Sequence, residues 1–549
     1  MSPAADAAPS DEIVIREARD TDVPGISEIF RAVYGDDYPY QQFYDAEWLK
    51  ASVYNDDVLM FVAEDRDGTL IGTSSIVCEQ GATSDLLGEF GRLAVHPKGR
   101  RRGLGRRLMK ARLENVENRL HVAYVEARCV HPFAQKISLE HGFAAVGFLP
   151  RKHLFLEREC VAVLVHYFAG ALKLRRNHPR IVPEAYPLAA AALGNVGLDF
   201  DAIVDETSPA YPLDGEFVAD TMSEDGLAVL LRMERGRVTH REIFGPLRLQ
   251  YGFFQIKAKS ADYLVARHEG RVAGAAGFIH DTVEKTLRIF ELVTPHDEAI
   301  RFLLTELERR AREEWDVDYI EVDVSAHAPR MQRTLVELGF MPVAYIPAMV
   351  FADVERLDVV KMARLTGDTA IGEVHLTAPV DRIRSIVMRA FERRQVQPKL
   401  VGFVAKLGLF EGLQGEQVQR LASFCTPQVF ADGALLIEEG AKSGRMMILL
   451  SGRGIVTVGD PAKRLGGVGP GEVIGELSAL TRSPHSATVR AEGPVEAAVL
   501  DTSELESLSR RRPDIAVVVY RNLAKALGRK LRRANITMSM LNHTDSDLI

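Results

Sequence analysis

The chain has 549 residues, 46% of them hydrophobic and 26% charged, with a formal net charge of −8 at pH 7. One hydrophobic core stops growing at about 250–300 residues, so this length calls for several compact units, and the composition excludes a disordered or fibrous chain. The acidic balance sets nucleic acid aside as a partner of the whole chain, although a local basic patch would still hold an anion.

Cys78, Cys129, Cys160 and Cys425 are scattered, with neither a CxxC pair nor a dense disulfide framework, which favours a reducing compartment and offers no metal-ligand set. The opening residues MSPAADAAPSDE are small and acidic, the reverse of a signal peptide. The most apolar stretch, Cys160 to Leu172, is too short to span a bilayer. These features predict a cytoplasmic protein with no membrane partner.

From about Ile13 to Phe155, strand-like runs (LMFVAED, LIGTSSIV, EFGRLAV, HVAYVEARCV) alternate with helical ones, predicting an α/β domain over residues 11–158. LRRNHPRIVPEAYP then breaks the pattern and reads as a linker. Over residues 198–355 a weaker echo follows: YLVARHEGRVAGAAGF parallels MFVAEDRDGTLIGTSS, which suggests an internal duplication. A third texture, short strands broken by glycine, occupies residues 403–535 and ends in a helix. It predicts a small jelly-roll barrel with flanking helices.

The densest signal is EFGRLAVHPKGRRRGLGRRLMKARL. A strand ends near His96, a glycine loop follows, and an amphipathic helix starts near Gly105. Gly103 and Gly105 let backbone N–H groups converge on an anion at a helix start, and Arg100, Arg101 and Arg102 add charge. The loop resembles the coenzyme A loop of the GNAT superfamily, whose Q/RxxGxG/A pattern is met by Arg100, Gly103 and Gly105, with the GF pair at Gly142 and Phe143 beyond. The resemblance implies an acyl-CoA-dependent N-acyltransferase with acetyl-CoA as cosubstrate, held by Leu93, Val95, Arg100, Arg101, Arg102, Gly103, Leu104, Gly105 and Arg106. It also places Glu89 where lysine-acetylating members carry a general base. Glu126 is the reserve base, and His131 either relays a proton or caps a turn. Where many members carry a tyrosine acid this chain has Ser138, a poor acid at neutral pH. Cys129 is open only to a minor covalent route.

In the second copy RIFELVTP is followed by HDEAIRFLLTELERRARE, with no glycine pair and with His296, Asp297 and Glu298 at the helix start. Coenzyme A binding is not expected there. Packing on the first copy, shaping the acceptor cleft or connecting the domains are its alternative roles, and Glu291 receives none.

The third block, with GPGEVIGELSALTRSPHSATVRA, resembles the cyclic-nucleotide-binding domain family. The resemblance implies a cAMP or cGMP site built by Gly475, Glu476, Leu477, Ser478, His485, Ser486 and Ala487, with Glu476 on the ribose and nearby backbone on the phosphate. The family arginine is replaced by His485, whose unperturbed pKa of about 6.5 leaves it largely neutral in the cytosol. Arg482 and Ser483 are candidates to compensate. The final helix, rich in Lys and Arg, either caps the barrel or makes a homodimer.

These expectations compose a gated acyltransferase whose acceptor is an amine, protein lysine among the options. A noncatalytic acyl-CoA and nucleotide sensor or scaffold is the alternative, and a small-molecule or polyamine acetyltransferase a third reading.

Overall fold

The computed structural model describes residues 13–546 except 37, 39, 79–84, 156, 169, 214, 223–227, 234–240, 247–260, 368, 404–407, 414 and 423. The acidic opening segment lies outside the described residues. The chain divides into two compact units, residues 1–387 and 388–549. No described helix is long and apolar enough to cross a membrane.

The first unit begins with β1 (Val14–Glu17), α1 (Val23–Tyr34), α2 (Ala46–Val53), β2 (Val58–Glu64), β3 (Leu70–Val77), β4 (Leu87–Val95), α3 (Leu104–Val116), β5 (Val122–Arg128), α4 (Phe133–Glu140), β6 (Ala144–Leu154) and β7 (Arg158–Tyr167). Val23, Ile26, Ile29 and Phe30 fall on one face of α1 and are buried. The α2 start is capped by Asp45, whose carboxylate accepts from the Glu47 N–H at 2.8 Å.

Then come β8 (Arg180–Ile181), α5 (Tyr186–Val196), β9 (Ile203–Val204), β10 (Val218–Thr221), β11 (Ile243–Phe244), β12 (Ala261–His268), β13 (Arg271–Asp281) and β14 (Thr286–Val293). They are followed by α6 (Asp297–Glu313), β15 (Tyr319–Ser325), α7 (Pro329–Leu338), β16 (Met341–Ala352) and β17 (Glu355–Leu365). One sheet runs through the unit in the order β1-β2-β3-β4-β5-β7-β6-β16-β17-β15-β14-β13-β12-β10. The two halves of that order mirror each other strand for strand, with a parallel pair, β4 with β5 and β14 with β15, at the same place in each. The echo seen in the sequence is therefore a repeat of topology.

The halves meet where β6 pairs with β16 through Gly147 and Ala344. A Cβ at Gly147 would stand 2.3 Å from Ala344 Cβ, so only glycine permits this approach. Helix α5 packs against β6 and β16, burying Leu188, Ala189, Ala192 and Leu193, and Asn195 donates to Ala145 O at 2.8 Å. Arg356, fully buried, donates to Ala348 O and Met349 O of its own half and to Asp85 O of the other. The segment read as a linker is part of this joint. Arg175 is buried against Asp358 (2.6 Å) and Asp201 (2.8 Å), while Arg176, His178 and Arg180 stay exposed.

Helix α8 (Ala378–Phe403) leads into the second unit, which has α9 (Gly415–Ala422), β18 (Thr426–Phe430), β19 (Leu435–Ile437), β20 (Arg445–Val458), β21 (Lys463–Val468), β22 (Val473–Ile474), α10 (Glu476–Thr481), β23 (Thr488–Asp501), α11 (Thr502–Arg511) and α12 (Pro513–Ser546). Its six strands form an antiparallel sheet, not the closed barrel expected. Among the described residues β18-β23-β20-β21 run in order, β19 adds to β23 and β22 to β20, and no ladder joins the edges. The long β20 and β23 bend instead, with register shifts around Ser451, and alternate side chains feed two cores. Met446, Ile448 and Leu450 face the helices, while Met447 and Leu449 face the other strands.

Candidate active site and candidate nucleotide site

β4 and β5 pair only from Leu87–Val122 to Glu89–Tyr124, after which the strands part. β4 is bulged between Gly91 and Ala94, and Arg92 takes a φ of 55° there. A bulge turns backbone groups out of the ladder and into the opening. Below the bulge lies Arg112 of α3, 1% exposed, donating to Ser75 O (3.0 Å) and Gly91 O (3.3 Å) and stacking 5.0 Å from the Phe90 ring. Burial pushes its pKa down to about 9.

The loop after β4 is held tightly. His96 accepts from the Lys98 N–H at 3.2 Å, and a Cβ at Gly99 would meet Leu104 at 2.8 Å and the Ile71 carbonyl at 2.9 Å. Gly103 has a φ of 71° at the α3 N-cap, with open space where a side chain would be. The N–H groups of Leu104 and Gly105, at the first turn, have no intrahelical acceptor and carry the positive end of the helix dipole. Gly105 lets α4 approach: its Cβ would lie 2.8 Å from Ile137. Arg100 and Arg101 are exposed, Arg102 is half-buried and the Leu104 side chain is buried. Arg106 turns its guanidinium to Glu140, at 2.8 Å. Leu93 faces the cavity described next, and Val95 pairs with Gly72.

The opening between β4 and β5 leads into a cavity of about 500 Å³. Glu89, Glu126, His131 and Ser138 all line it, so the structure brings these sequence candidates together. Glu89 stands 3.7 Å from Arg92. Glu126 is committed to Lys152 at 2.7 Å. Burial opposes its charge, but Lys152, His153 and Lys361 together hold its pKa below the usual range. His131 packs on Phe133, and its pKa is lowered by burial. Ser138 is fully buried, and its Oγ meets no hydrogen-bond partner among the described residues. Cys129 is buried, donates to Ala127 O and has its pKa raised by burial, the opposite of an activated thiol.

Sequence reasoning missed much of this cavity. Tyr34, Tyr38, Tyr40, Trp48 and Phe155 wall one side, and Asp281, Glu284 and Thr286 arrive from the second half of the sheet. The aromatic run YGDDYPYQQFYDAEW was the available signal, whereas nothing local marks the β13–β14 turn as a lining element.

In the second half, β14 and β15 also part after Ile289 and Val322, but β11 fills the gap. Ile243 and Phe244 pair with Val324 and Asp323, and a Cβ at Gly245 would lie 2.2 Å from Phe290. At the start of α6, Asp297 pairs with Arg330 at 2.7 Å. Glu291 is buried between Arg241 and Tyr263, both at 2.5 Å.

In the second unit Gly475 takes a φ of 76° at the α10 N-cap. Glu476 is 4% exposed and paired with Lys530 of α12 at 2.6 Å, and Lys530 also donates to Val473 O. Ser478 Oγ donates to Ser483 O at 2.6 Å, while Leu477 and Ser486 are exposed and Ala487 is half-buried. His485 points inward, 2.7 Å from Ser443 Oγ, and burial lowers its pKa. Arg482 is exposed and paired with Glu506 at 2.7 Å.

Two family descriptions match the chain: "Acetyltransferase (GNAT) domain" over residues 56–148 and "Cyclic nucleotide-binding domain" over residues 427–512. Among curated proteins, the CRP-like cAMP-activated global transcriptional regulator of Mycobacterium tuberculosis is 29% identical over 145 residues, covering 26% of this chain and 63% of that protein. The cyclic AMP receptor protein of Thermus thermophilus is 28% identical over 141 residues, covering 25% of this chain and again 63% of the relative. The chain thus spans under two thirds of the curated relatives it matches. A solved cyclic nucleotide-binding domain from Methylobacillus flagellatus is 26% identical, covering 26% of this chain and 80% of that one at a TM-score of 0.24. The spermidine/spermine N-acetyltransferase of Vibrio cholerae is 21% identical, covering 28% of this chain and 95% of that one at a TM-score of 0.25. The chain carries a GNAT acetyltransferase domain over residues 56–148 and a C-terminal cyclic nucleotide-binding domain over residues 427–512.

Proposed function

We propose that the protein transfers an acyl group from coenzyme A to an amine at the β4–β5 opening, under control of its C-terminal domain. The observation that carries this reading is the juxtaposition, in one cavity, of the β4 bulge, Glu89 and the unpartnered Ser138 hydroxyl beside a glycine-opened helix. Arg100, Arg101, Arg102 and the N–H groups of Gly103, Leu104 and Gly105 would hold the cofactor phosphates, with Leu93 and Val95 along its arm; the Arg106 N–H is taken by Gly103 O at 3.1 Å. Bound there, the cosubstrate supplies an activated thioester. Glu89, directly or through water, takes the proton from the attacking amine. Ser138 donates a hydrogen bond to the departing sulfur, and solvent supplies the proton that serine cannot. Arg112 holds the bulge that aims backbone N–H groups at the developing oxyanion.

In the C-terminal domain a cyclic nucleotide would take Glu476 with its ribose hydroxyl and the backbone of Leu477 and Ser478 with its phosphate. Ligand entry then has to displace Lys530 from Glu476, and the neutral His485 contributes a hydrogen bond where an arginine would give charge. The exposed stripe Val517, Tyr520, Ala524 and Leu531 of α12, at heptad spacing, suits a homodimer.

Calorimetric titration of the full chain with acetyl-CoA tests the core of the reading. Binding that is lost in Arg102→Glu supports it, and absence of binding to the natural chain overturns it.

A further inference from the structure

The second half of the sheet has its own cofactor slot closed by β11, yet it delivers the β13–β14 turn into the cavity of the first half. Asp281, Glu284 and Thr286 from that turn line the cavity opposite the cofactor loop's own half. The turn is rigid: Asp281 Oδ1 accepts the N–H groups of Val283 and Glu284, both at 2.9 Å. Glu284, 5% exposed, accepts the Leu154 N–H at 2.7 Å and the Tyr40 hydroxyl, and stands 3.4 Å from His153.

The charges in the cavity are distributed unevenly. Arg92 answers Glu89, Lys152 answers Glu126, and Glu159 takes Arg128 in two bonds of 2.6 Å. Among the described residues Asp281 has no lysine or arginine within ion-pair distance, and the basic partner of Glu284 is His153, at 3.4 Å. Burial opposes the charge of Glu284, but His153, Tyr40 and the Leu154 N–H outweigh it and keep its pKa below the usual range. Beside these carboxylates stand Tyr38 and Tyr40, whose rings suit a cation, whereas the Phe155 ring already carries the Arg128 guanidinium at 3.9 Å. Three buried polar atoms of residues lining the same cavity, Ser138 Oγ, Arg112 Nε and Arg92 Nη1, have no hydrogen-bond partner among the described residues, as expected of a cavity built to be filled by a polar ligand.

We infer that Asp281 and Glu284 are specificity-determining residues, and that the acceptor is a small amine carrying a second positive charge. One amine reacts beside Glu89 while the other ammonium rests between the turn carboxylates and the aromatic wall. The cofactor-less half is then the acceptor-recognition half of the enzyme. This rests on the acyltransferase reading above.

The test is calorimetry on the full chain saturated with coenzyme A, using 1,6-diaminohexane and hexylamine as matched probes. The diamine is expected to bind at least about tenfold more tightly than the monoamine. Asp281→Asn, which retains the Oδ1 acceptor of the turn, and Glu284→Gln, which retains shape but only one of two acceptor oxygens, should each shrink that preference without changing acetyl-CoA affinity. Equal binding of the two probes, absence of diamine binding, or an undiminished preference in both variants overturns the inference. Acetyl-CoA binding measured on the same samples separates that outcome from failure of the acyltransferase reading. Transfer to a lysine peptide with no diamine binding would also overturn it.

Discussion

The Gly147→Ala substitution tests the joint between the halves with a single methyl group. Its Cβ would stand 2.3 Å from Ala344 Cβ and 3.0 Å from Ala344 Cα, whereas non-bonded carbons rest at about 3.5–4.0 Å. The neighbour is backbone of a paired strand and no flexible side-chain tip, so β6 and β16 must separate by more than about 1 Å. Overpacking of this kind costs about 1–3 kcal/mol, and loss of the strand pair adds about 0.5–1.5 kcal/mol per hydrogen bond, for a total of about 2–4 kcal/mol. Scanning calorimetry of the full chain should show the transition of the first unit lowered by about 3–6 °C. The control is Gly194→Ala in α5, where no atom lies within 4 Å of the new methyl and the backbone is helical. That change should stabilise by about 0.5–1 kcal/mol. If Gly147→Ala melts like the natural chain, the seam does not join the halves as argued. The cavity's dependence on the second half then loses its structural basis.

Other outcomes follow from the two sites. Glu89→Gln should lower kcat by about 10²–10⁴ while leaving acetyl-CoA affinity unchanged, and a full-rate variant would remove Glu89 as the base. Lys530→Met frees Glu476 from a partner that is 40% exposed, so the pair is worth only about 0–1 kcal/mol. Fluorescence titration with cyclic AMP should therefore show affinity rising about two- to fivefold, and weaker binding would count against displacement of Lys530. On α6, Glu306 has its pKa lowered from 4.5 to about 2 by hydrogen bonds from Arg309 and Arg310, burial opposing. Its folded pKa lies below its unfolded one, so its contribution is full above pH 4.5 and lost as pH falls toward 2. The melting difference between the natural chain and Glu306→Gln should be constant near neutrality and vanish over that window.

What the amino-acid sequence determined by itself was local. The glycine loop between β4 and α3, the Gly475–Ala487 segment, and the duplication were legible because each is carried by backbone conformation and periodicity within a few tens of residues. The same locality explains why Glu89 and Ser138 could be singled out, since both keep a fixed offset from a motif. The tertiary structure decided the rest. The barrel was the wrong expectation, because no ladder closes the sheet among the described residues, and the stretch read as a linker is ordered because Arg175 finds Asp358 across 183 residues. The β11 plug, the Lys530 partner of Glu476 and the carboxylates of the β13–β14 turn also join residues far apart in the chain. A side chain's charge and burial acquire meaning only from what stands opposite it. For the cavity of this protein one wall comes from a different half of the sheet, across a seam that rests on a glycine.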